Sequence, residues 1–396
     1  MNVAFCHESV LPQRGGCETY IADLARRLVA DRHEVHLYAC RRDQAALPAS
    51  MHFHPIRRSR APRFLQPWLF GRRCLRALAG QCHDVTIGFD KTWNLDILYP
   101  QAGLHSASAE HNILKHPGRI ARGMARLIKA LDLAHWSYTR LEHRQYLADR
   151  PTQIIVNSEM VRHHFASRLK ISPDHIKVIH SAIDSARFPQ HDRPRRRLEG
   201  RERWRLAPQD IVGLFVAKNY RLKGLSPLLH AVAALLQRPE MRSTPPAFRL
   251  LVCGNDHARP YEREATRLGI TPHVRFVGRF PDIRTAFFSA DFLVHPTFYD
   301  PCSLVVLEAM ACDLPVITSR YNGASELMHP LQEGFVIDDP HDHAHLAWCL
   351  AQMLDSARRR ACAQAARRTA AQWTFEHHYR QLLQAFQEVA QRKQVA

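Results

Sequence analysis

The sequence gives the same order of secondary-structure signals in both of its halves, and this repetition restricts the fold more than any other feature. In the first half, residues 3–6 have the apolar composition of a short strand, and a polar loop with Gly15 and Gly16 follows. A helical pattern then leads to a second apolar strand at residues 35–40. This order predicts a strand–helix–strand unit of a parallel sheet.

The second half repeats the pattern. A strand at residues 211–216 precedes a basic loop that ends at Lys223, and a helical pattern leads to a strand at residues 248–253. Between the halves, residues 189–200 are charged and interrupted by proline, which is the composition of a linker. We therefore predict two doubly wound α/β domains that are separated near residues 186–205.

The charge balance restricts the partners of the chain. Its 396 residues include 55 Lys and Arg against 37 Asp and Glu, a formal net charge of +18. Such a surplus favours phosphate-bearing partners, whether nucleic acid, anionic lipid or sugar phosphate. Because 46% of the residues are hydrophobic, a disordered, collagenous or small disulfide-stapled chain is excluded.

Cysteine usage and hydropathy indicate the compartment. The ten cysteines show no C-x-x-C spacing and several lie in apolar runs, so we expect them to be reduced and mostly buried. The first residues show no basic stretch followed by an apolar one, and no window offers about 18 uncharged apolar residues. We therefore expect a cytosolic protein whose membrane contact, if any, is peripheral.

Residues 295–318 read as strand end, loop, helix, turn and strand, and carry the first candidate site. Asp300 precedes the helix, and Glu308 lies two turns inside it. A helix that begins near Ser303 would direct its first backbone N–H groups into the crevice at the strand ends, where a phosphate binds readily. Glu308 lies among apolar residues and needs a partner, which ribose hydroxyls could supply. The alternative is that Asp300 caps the helix and Glu308 forms an ordinary ion pair.

The spacing of Asp300 and Glu308 resembles the E-x7-E element of the family 4 retaining glycosyltransferases. The surrounding residues are similar to that family's signature E-P-x-G-L-V-x-L-E-A-M-A-x-G-x-P-V-I, with Asp300, Ser303 and Asp313 as departures. An Asp at position 313 tolerates the left-handed turn that a Gly would otherwise fill. Asp300 is one methylene shorter than Glu, which affects its reach toward a donor sugar.

The basic loop at residues 215–224 resembles the V-G-R-x4-K-G element of the same family. Lys218 takes the position of the Arg, Lys223 matches the Lys, and Ala217 replaces a Gly. Two cations between a strand and a helix would neutralise the charge that develops on a departing diphosphate, with Arg221 between them as a further cation. The alternative is a solvated basic loop.

The first half carries weaker elements of the resemblance. Gly15 and Gly16 resemble the family's Gly-Gly loop after the first strand, where missing side chains let substrates approach the backbone. Residues 88–105 resemble a segment of the lipopolysaccharide-core glucosyltransferases, which places His105 at the position of an active-site His. The alternative is that His105 is one more surface residue among 26 His.

In its nucleotide-binding half, the chain is similar to the family at residues 251–254 and 274–279, the strands that hold the base. The resemblance implies that backbone groups near Gly278 and Arg279 contact the base. It also implies that Ser303, Leu304 and Val305 bind the donor phosphates at the helix N-terminus.

Taken together, the resemblance implies a GT-B fold of two facing Rossmann-like domains. It implies an acceptor domain at residues 1–187, a nucleotide-sugar domain at residues 188–372, and a C-terminal helix at residues 373–396 that crosses back to the first domain. Its catalytic residues would be His105, Asp300, Lys218 and Lys223, and the substrate-binding residues Gly15, Gly16, Arg221, Gly278, Arg279, Ser303, Leu304, Val305 and Glu308.

The implied reaction is retaining transfer of a hexose, with UDP-glucose as donor and a lipopolysaccharide-core or other lipid-linked glycan as acceptor. No D-x-D motif occurs, so we expect no metal, and we expect no cofactor because the nucleotide sugar is a substrate. We also expect a monomer. Other glycan pathways, such as those of exopolysaccharide or polyprenyl-linked oligosaccharide, stay open.

An amphipathic helix is predicted after Pro117. Its basic face carries Arg119, Arg122, Arg126 and Lys129, and its apolar face carries Ile120, Met124, Leu127 and Leu131. Such a helix is typical of binding to an anionic membrane surface, here the cytoplasmic face of the inner membrane. The alternative is an ordinary surface helix with solvated arginines.

Two other classes of protein fit the sequence less well. A nucleic-acid-binding protein would explain the charge, but it needs basic residues interleaved with exposed aromatics or a recognition helix. The motifs point to a diphosphate cleft, so we expect no nucleic acid as partner. A membrane-bound binding protein that has lost catalysis is supported only by Asp300 in place of Glu.

Overall fold

The computed structural model describes residues 1–147, 153–241, 247–280, 282–329 and 331–395. The chain divides into two compact units. The first contains residues 1–180 together with 377–396, and the second contains residues 181–376. Each unit is an α/β structure with its own parallel sheet.

The first unit contains a seven-stranded parallel sheet and a separate pair of short strands. Its strands are β1 (Asn2–Cys6), β2 (Ser9–Val10), β3 (Glu34–Ala39), β4 (Arg41–Arg42), β5 (His52–Pro55), β6 (Val85–Gly88), β7 (Ile97–Leu98), β8 (Gln153–Val156) and β9 (Ile176–Val178). The sheet has the order β5-β3-β1-β6-β7-β8-β9, while β2 pairs with β4. The strand order therefore reverses at β1, between β3 and β6.

Helices follow the strands of this unit as the apolar periodicity predicts. They are α1 (Gly16–Ala30), α2 (Gln66–Leu78), α3 (His105–Leu114), α4 (Arg119–Ala130), α5 (Leu133–Tyr146) and α6 (Glu159–Leu169). Helix α1 buries Tyr20, Ile21, Leu24 and Leu28, which are the residues that showed helical spacing in the sequence. The predicted strand–helix–strand unit at the start of the chain is confirmed.

The second unit has a six-stranded parallel sheet of order β12-β11-β10-β13-β14-β15. Its elements, followed by the last helix of the chain, are α7 (Arg193–Arg203), β10 (Ile211–Val216), α8 (Leu225–Leu236), β11 (Phe248–Cys253), α9 (Arg259–Arg267), β12 (Val274–Gly278), α10 (Ile283–Ser289), β13 (Phe292–His295), α11 (Leu304–Ala311), β14 (Val316–Ser319), β15 (Gly334–Ile337), α12 (His343–Gln352), α13 (Ser356–Gln372) and α14 (Phe375–Val395).

Both faces of the second sheet are covered, which is why its strands read as continuous apolar runs. In β11, Leu250 and Val252 pack into one core with α8 and α12. Leu251 and Cys253, which alternate with them, pack into the other core with α10 and α11. The predicted doubly wound α/β class is confirmed for this unit.

The prediction of a linker at residues 189–200 is wrong, because most of this stretch forms α7. Arg201 is buried and donates to the carbonyls of Ser289, Ala207, Pro208 and Asp210, and to the Asp291 carboxylate. Arg197 donates to carbonyls at the end of α10 and to Asp291 as well. The arginines that give the segment a linker-like composition are therefore structural.

Helix α14 packs on the first unit. His378 is buried, its Nδ1 donates to the His180 carbonyl at 2.7 Å, and its Nε2 accepts from the Tyr20 hydroxyl at 2.7 Å. Lys393 donates to Asp96 at 3.0 Å near the other end of the helix. Tyr379, Leu382 and Phe386 are buried, as their spacing predicts.

The ten cysteines are unpaired and seven of them are buried, which confirms the prediction of reduced, mostly buried thiols. Among the described residues, no helix is both long and apolar enough to cross a membrane.

Candidate active site

The second unit brings the basic loop and the loop after β13 together at the carboxyl ends of its strands. Strand order reverses at β10, which lies between β11 and β13, and ligands of doubly wound sheets bind in the crevice at such a reversal. The Leu222 carbonyl accepts from the Phe298 N–H at 2.9 Å and from the Thr297 hydroxyl at 3.3 Å. These bonds fix the two loops against each other.

Gly224 makes this close approach possible. Its φ is +81°, and a Cβ added there would lie 2.1 Å from the carbonyl oxygen of Pro296. A side chain would therefore collide with backbone of the loop after β13 and also strain the left-handed conformation. The Gly that follows Lys223 is required by the geometry of the site.

Lys223 and Asp300 form the centre of the site. The ammonium Nζ lies 2.6 Å from Oδ2 of Asp300 and 2.9 Å from the carbonyl oxygen of Tyr299. The two side chains are only 18% and 16% exposed. Burial raises the pKa of Asp300, but the nearby Lys223 ammonium more than offsets this effect and holds the pKa well below its usual range. The carboxylate is therefore ionised throughout the physiological pH range.

His295 lies behind this pair and was missed in the sequence. It is 1% exposed, and its ring stacks on Phe215 with a centroid distance of 6.1 Å. Its Nε2 lies 3.7 Å from Oδ2 of Asp300, and neither ring nitrogen makes a hydrogen bond within the described residues. Burial lowers the pKa of His295, so the ring is neutral. The signal in the sequence was a polar residue that ends an apolar strand.

Helix α11 begins as predicted, with Ser303 as its N-terminal cap residue and no side-chain cap bond. The Ser303 N–H donates to the buried side chain of Asn322 at 3.1 Å. Leu304, Val305 and Glu308 on α11 are half-buried. Asp300 does not cap this helix, because its carboxylate pairs with Lys223, so the alternative of a capping residue is excluded.

Asp313 adopts the left-handed conformation that its position requires. Its φ is +55°, which confirms the expectation that Asp replaces a Gly at the end of the signature. Its carboxylate also pairs with Arg193 at 3.3 Å. The local turn after α11 therefore survives the substitution.

The other predicted donor-binding residues of this unit follow β10 and β12. Lys218 and Arg221 are exposed on the basic loop. Gly278 and Arg279 are exposed at the end of β12, and Gly278 has a φ of +67°. The Gly254 N–H donates to the Gly278 carbonyl at 2.9 Å and joins the ends of β11 and β12. All these residues lie at the carboxyl edge of one sheet, in its loops or at the end of a strand.

The first unit presents its predicted residues at the corresponding reversal beside β1. Gly15 precedes α1 in extended conformation, and Gly16 is the first residue of that helix. Asp90, after β6, has a φ of +63° and accepts from the Cys17 thiol at 3.9 Å and from the Ala102 N–H at 3.1 Å. Asp90 therefore joins the first turn of α1 to the segment that leads to α3, a role that the sequence did not reveal.

His105 is the first residue of α3 and is half-buried. Its Nε2 shares a hydrogen bond with Nδ1 of His135 at 3.0 Å. Burial, followed by the charges of His135 and Lys129, lowers the pKa of His105 to about 4. The imidazole is therefore neutral at pH 7 and can hydrogen-bond to a sugar hydroxyl without carrying charge.

Known proteins share both halves of this architecture. Residues 14–187 match the family model described as Glycosyltransferase Family 4, and residues 197–369 match the model described as Glycosyl transferases group 1. A D-inositol 3-phosphate glycosyltransferase from Salinispora tropica is 26% identical, and the match covers 96% of this chain and 83% of that protein.

Two solved structures are similar in fold. WaaG, a glycosyltransferase involved in lipopolysaccharide biosynthesis, has a TM-score of 0.77 at 22% identity, with 93% of this chain and 95% of that chain covered. HepE from Anabaena, in complex with UDP-glucose, has a TM-score of 0.70 at 17% identity, with 98% and 99% covered.

The two Rossmann-like parallel sheets, each matched by a glycosyltransferase domain, define a glycosyltransferase of the GT-B type. Because its first domain matches family 4 and its second matches group 1, the chain belongs to the family 4 glycosyltransferases. The family-level resemblance predicted from the sequence is thereby confirmed.

Proposed function

We propose that the chain is a retaining, metal-independent hexosyltransferase that moves glucose from UDP-glucose to a lipopolysaccharide-core or other lipid-linked glycan. The observation that carries this proposal is the half-buried pair of Lys223 and Asp300 next to the N-terminus of α11. An ionised carboxylate and a cation held beside helix amides suit a sugar hydroxyl and a diphosphate respectively.

The donor binds along the carboxyl edge of the second sheet. Backbone N–H groups of Leu304 and Val305 at the start of α11 face the phosphates, since no side chain caps this helix, whereas the Ser303 N–H already donates to Asn322. Glu308 accepts from the ribose hydroxyls. Gly278 and Arg279 receive the base through backbone groups. The HepE structure in complex with UDP-glucose supports UDP-glucose as the donor.

In the reaction, the bond between the anomeric carbon and the phosphate oxygen breaks while the acceptor oxygen bonds to the same face of that carbon. The acceptor proton passes to the departing phosphate oxygen, so retention needs no carboxylate nucleophile. Lys218, Arg221 and Lys223 stabilise the charge that develops on the diphosphate. Neither a metal nor a cofactor takes part.

The acceptor belongs to the first unit in this proposal. Gly15 and Gly16 leave room for substrate at the backbone, and His105, neutral at pH 7, hydrogen-bonds to a sugar hydroxyl. Asp90 contacts Cys17 at the start of α1 and Ala102 ahead of α3, close in sequence to these residues.

Helix α4 supports a membrane-bound acceptor. None of its residues is buried, and its apolar face is open, with Ile120 82%, Met124 62% and Leu127 65% exposed. An exposed apolar stripe bordered by arginines suits the interface of an anionic bilayer. We propose that the enzyme works at the cytoplasmic face of the inner membrane, bound peripherally through this helix.

The relatives favour a second acceptor. The Salinispora tropica relative is named for transfer to D-inositol 3-phosphate, a small anionic acceptor rather than a lipid-linked one. The surplus of basic residues is compatible with either acceptor, because both carry phosphate.

The test measures nucleotide release from UDP-, GDP- and ADP-glucose in separate reactions with deep-rough lipopolysaccharide and with inositol 3-phosphate as acceptors. Release from UDP-glucose that requires lipopolysaccharide supports the proposal, and product analysis should show retained configuration. Release that requires inositol 3-phosphate would replace the lipid-linked acceptor. Transfer that stops with a chelator and resumes with a divalent cation would contradict metal independence.

A further inference from the structure

One face of the first unit's sheet, at the edge formed by β5, carries histidines that have no role in the proposed transfer reaction. Glu34 and His36 alternate with a buried residue on β3, so they lie on the same face of the sheet. On the edge strand β5, His52 is the register partner of His36. His54, two residues further, lies on the same face. These residues cluster at the amino ends of the strands, opposite the carboxyl edge where the substrates are proposed to bind.

The side chains converge on one point. Oε1 of Glu34 lies 3.1 Å from Nε2 of His36 and 3.4 Å from Nε2 of His52. In tetrahedral coordination with bonds of about 2.0–2.1 Å, ligand atoms are separated by about 3.3–3.4 Å. The observed separations are therefore close to those of two edges of a tetrahedral metal site. All three ligand atoms lie within 4.8 Å of one another.

We propose that Glu34, His36 and His52 bind a divalent transition-metal ion, with Zn²⁺ as the ion that their chemistry favours. Two imidazoles and one carboxylate are a ligand set that Zn²⁺ accepts readily, with water completing the shell. The half-exposed positions of Glu34 and His52 leave access for the ion and for that water.

His54 positions the central ligand. Nδ1 of His36 lies 2.9 Å from Nε2 of His54, and His54 stacks on Tyr38 at a centroid distance of 4.3 Å. If His36 carries its proton on Nδ1 and donates to His54, its Nε2 lone pair points to the ion. Such an outer hydrogen bond fixes the tautomer of a metal-binding His. His36 also stacks on His52 at 4.7 Å, which orders both ligand rings.

The consequence of binding is structural, because the ion would join the edge strand β5 to β3. An ion that binds only the folded unit raises its stability. A metal at this position would also contact none of the residues assigned to sugar transfer, so the inference is independent of metal-free catalysis.

The test uses the full chain, reduced and treated with chelator, in calorimetric titrations with Zn²⁺. We expect one tight equivalent in the wild type, its loss in Glu34→Gln and His52→Asn, and a drop of about 10- to 100-fold in affinity in His54→Phe. The melting temperature of the wild type should rise with Zn²⁺, and those of the two ligand variants should not. Since Glu34 and His52 are half-exposed, the metal-free variants should melt with the wild type.

His230→Asn is the matched control. His230 also stacks on a second His and lies 3.2 Å from a Glu, Glu264, but among the described residues no third ligand converges there. It should keep the tight equivalent. The proposal would be overturned if all variants bound Zn²⁺ with the same affinity and stoichiometry as the wild type, or if the wild type bound no tight equivalent of Zn²⁺.

Titration with Co²⁺ separates this site from the other candidate group in the described residues, His7, Cys17 and Asp90. A His and carboxylate site gives d–d absorption without a thiolate-to-cobalt charge-transfer band. A charge-transfer band that disappears in Cys17→Ser would place the ion at the second group and overturn the assignment.

Discussion

Lys223 is held by two acceptors, the Asp300 carboxylate and the Tyr299 carbonyl, so its charge is partly compensated within the protein. A ground-state diphosphate gains less from such a cation than from a free one. The transition state carries more charge on the leaving oxygen and gains more. The geometry of Lys223 therefore suits stabilisation of the transition state over tight binding of the donor.

We predict that Lys218→Ala and Lys223→Ala each lower kcat on the order of 10²-fold or more, while donor affinity falls less. Steady-state kinetics with varied UDP-glucose separates the two effects. Arg267→Ala, an exposed cation on α9, is the control and should leave both constants unchanged. Unaltered turnover in both lysine variants would show that neither cation takes part in the transfer step.

Glu308 is the second residue whose role can be isolated. Glu308→Gln keeps the size of the side chain but removes the charge that accepts from ribose hydroxyls, so we expect weaker UDP binding with an unchanged melting temperature. Calorimetry with UDP measures the affinity, and Glu262→Gln, exposed on α9, controls for the loss of one charge. Affinity equal to that of the wild type would remove Glu308 from the donor site.

At the scale of elements, strands β10 and β11 were predicted to the residue, because a sheet covered on both faces leaves uninterrupted apolar runs. Helix α7 was not, because its composition is that of a solvated segment. Arg201 anchors this helix, and its partners include Ser289 and Asp291, about 90 residues further along the chain. A local sequence pattern cannot indicate contacts between residues so far apart in the chain.

The candidate site divides in the same way. Asp300, Glu308 and Lys223 were identified from spacing and motif, since they are close in sequence to recognisable elements. His295 and Asp90 were not, because their significance lies in what surrounds them. A buried imidazole without a hydrogen bond in the described part of the chain, and a carboxylate that joins the start of α1 to the segment before α3, become visible only when the chain is folded.

Helix α14 provides a prediction about acid sensitivity. Burial lowers the pKa of His378 to about 4, whereas an unfolded His titrates near 6.5. Between about pH 6.5 and pH 4, His378 is protonated in the unfolded chain but still neutral in the folded chain. The free energy of unfolding therefore decreases as the pH falls through this range. The loss from this one group is roughly 2 kcal/mol between pH 7 and 5.

The measurement compares urea unfolding of the wild type and of His378→Asn at pH 7 and pH 5. The Asn amide can still donate to the His180 carbonyl, but it does not titrate. We expect the variant to be less stable at pH 7 and to lose less stability on acidification. Other histidines with lowered pKa values, such as His105 and His164, contribute equally to both proteins. Identical pH dependence in the two proteins would show that His378 does not carry this effect.

At the scale of the whole molecule, both sheets reverse their strand order beside a central strand, and the loops at both reversals carry the candidate residues. The second unit's loops match motifs of the family closely, so the proposed donor rests on several residues of this chain. The first unit's Gly15 and Gly16 form a much shorter motif. One similar protein is named for D-inositol 3-phosphate and another for lipopolysaccharide biosynthesis, so the names do not agree on an acceptor. The residues of this chain therefore support the proposed donor more strongly than the proposed acceptor.

The surplus charge and helix α4 together predict salt-sensitive binding of anionic membranes. Each cation near an anionic surface contributes about 1 kcal/mol, and the basic face of α4 offers Arg119, Arg122, Arg126 and Lys129. Cosedimentation with phosphatidylglycerol vesicles should show binding that weakens at high salt, because the Debye length shortens. Replacing these four residues with Gln should reduce binding at low salt.

A second set of four exposed arginines tests whether position or total charge matters. Arg263, Arg267, Arg358 and Arg360 lie on α9 and α13 of the second unit, and their replacement with Gln removes the same charge. We expect this variant to bind vesicles like the wild type, and Leu127→Asn, which interrupts the apolar face of α4, to bind more weakly. Equal loss in both four-residue variants would mean that net charge alone attracts the protein. If neither salt nor any of these substitutions changes vesicle binding, the basic face does not bind the membrane and serves solubility or the phosphates of the acceptor instead.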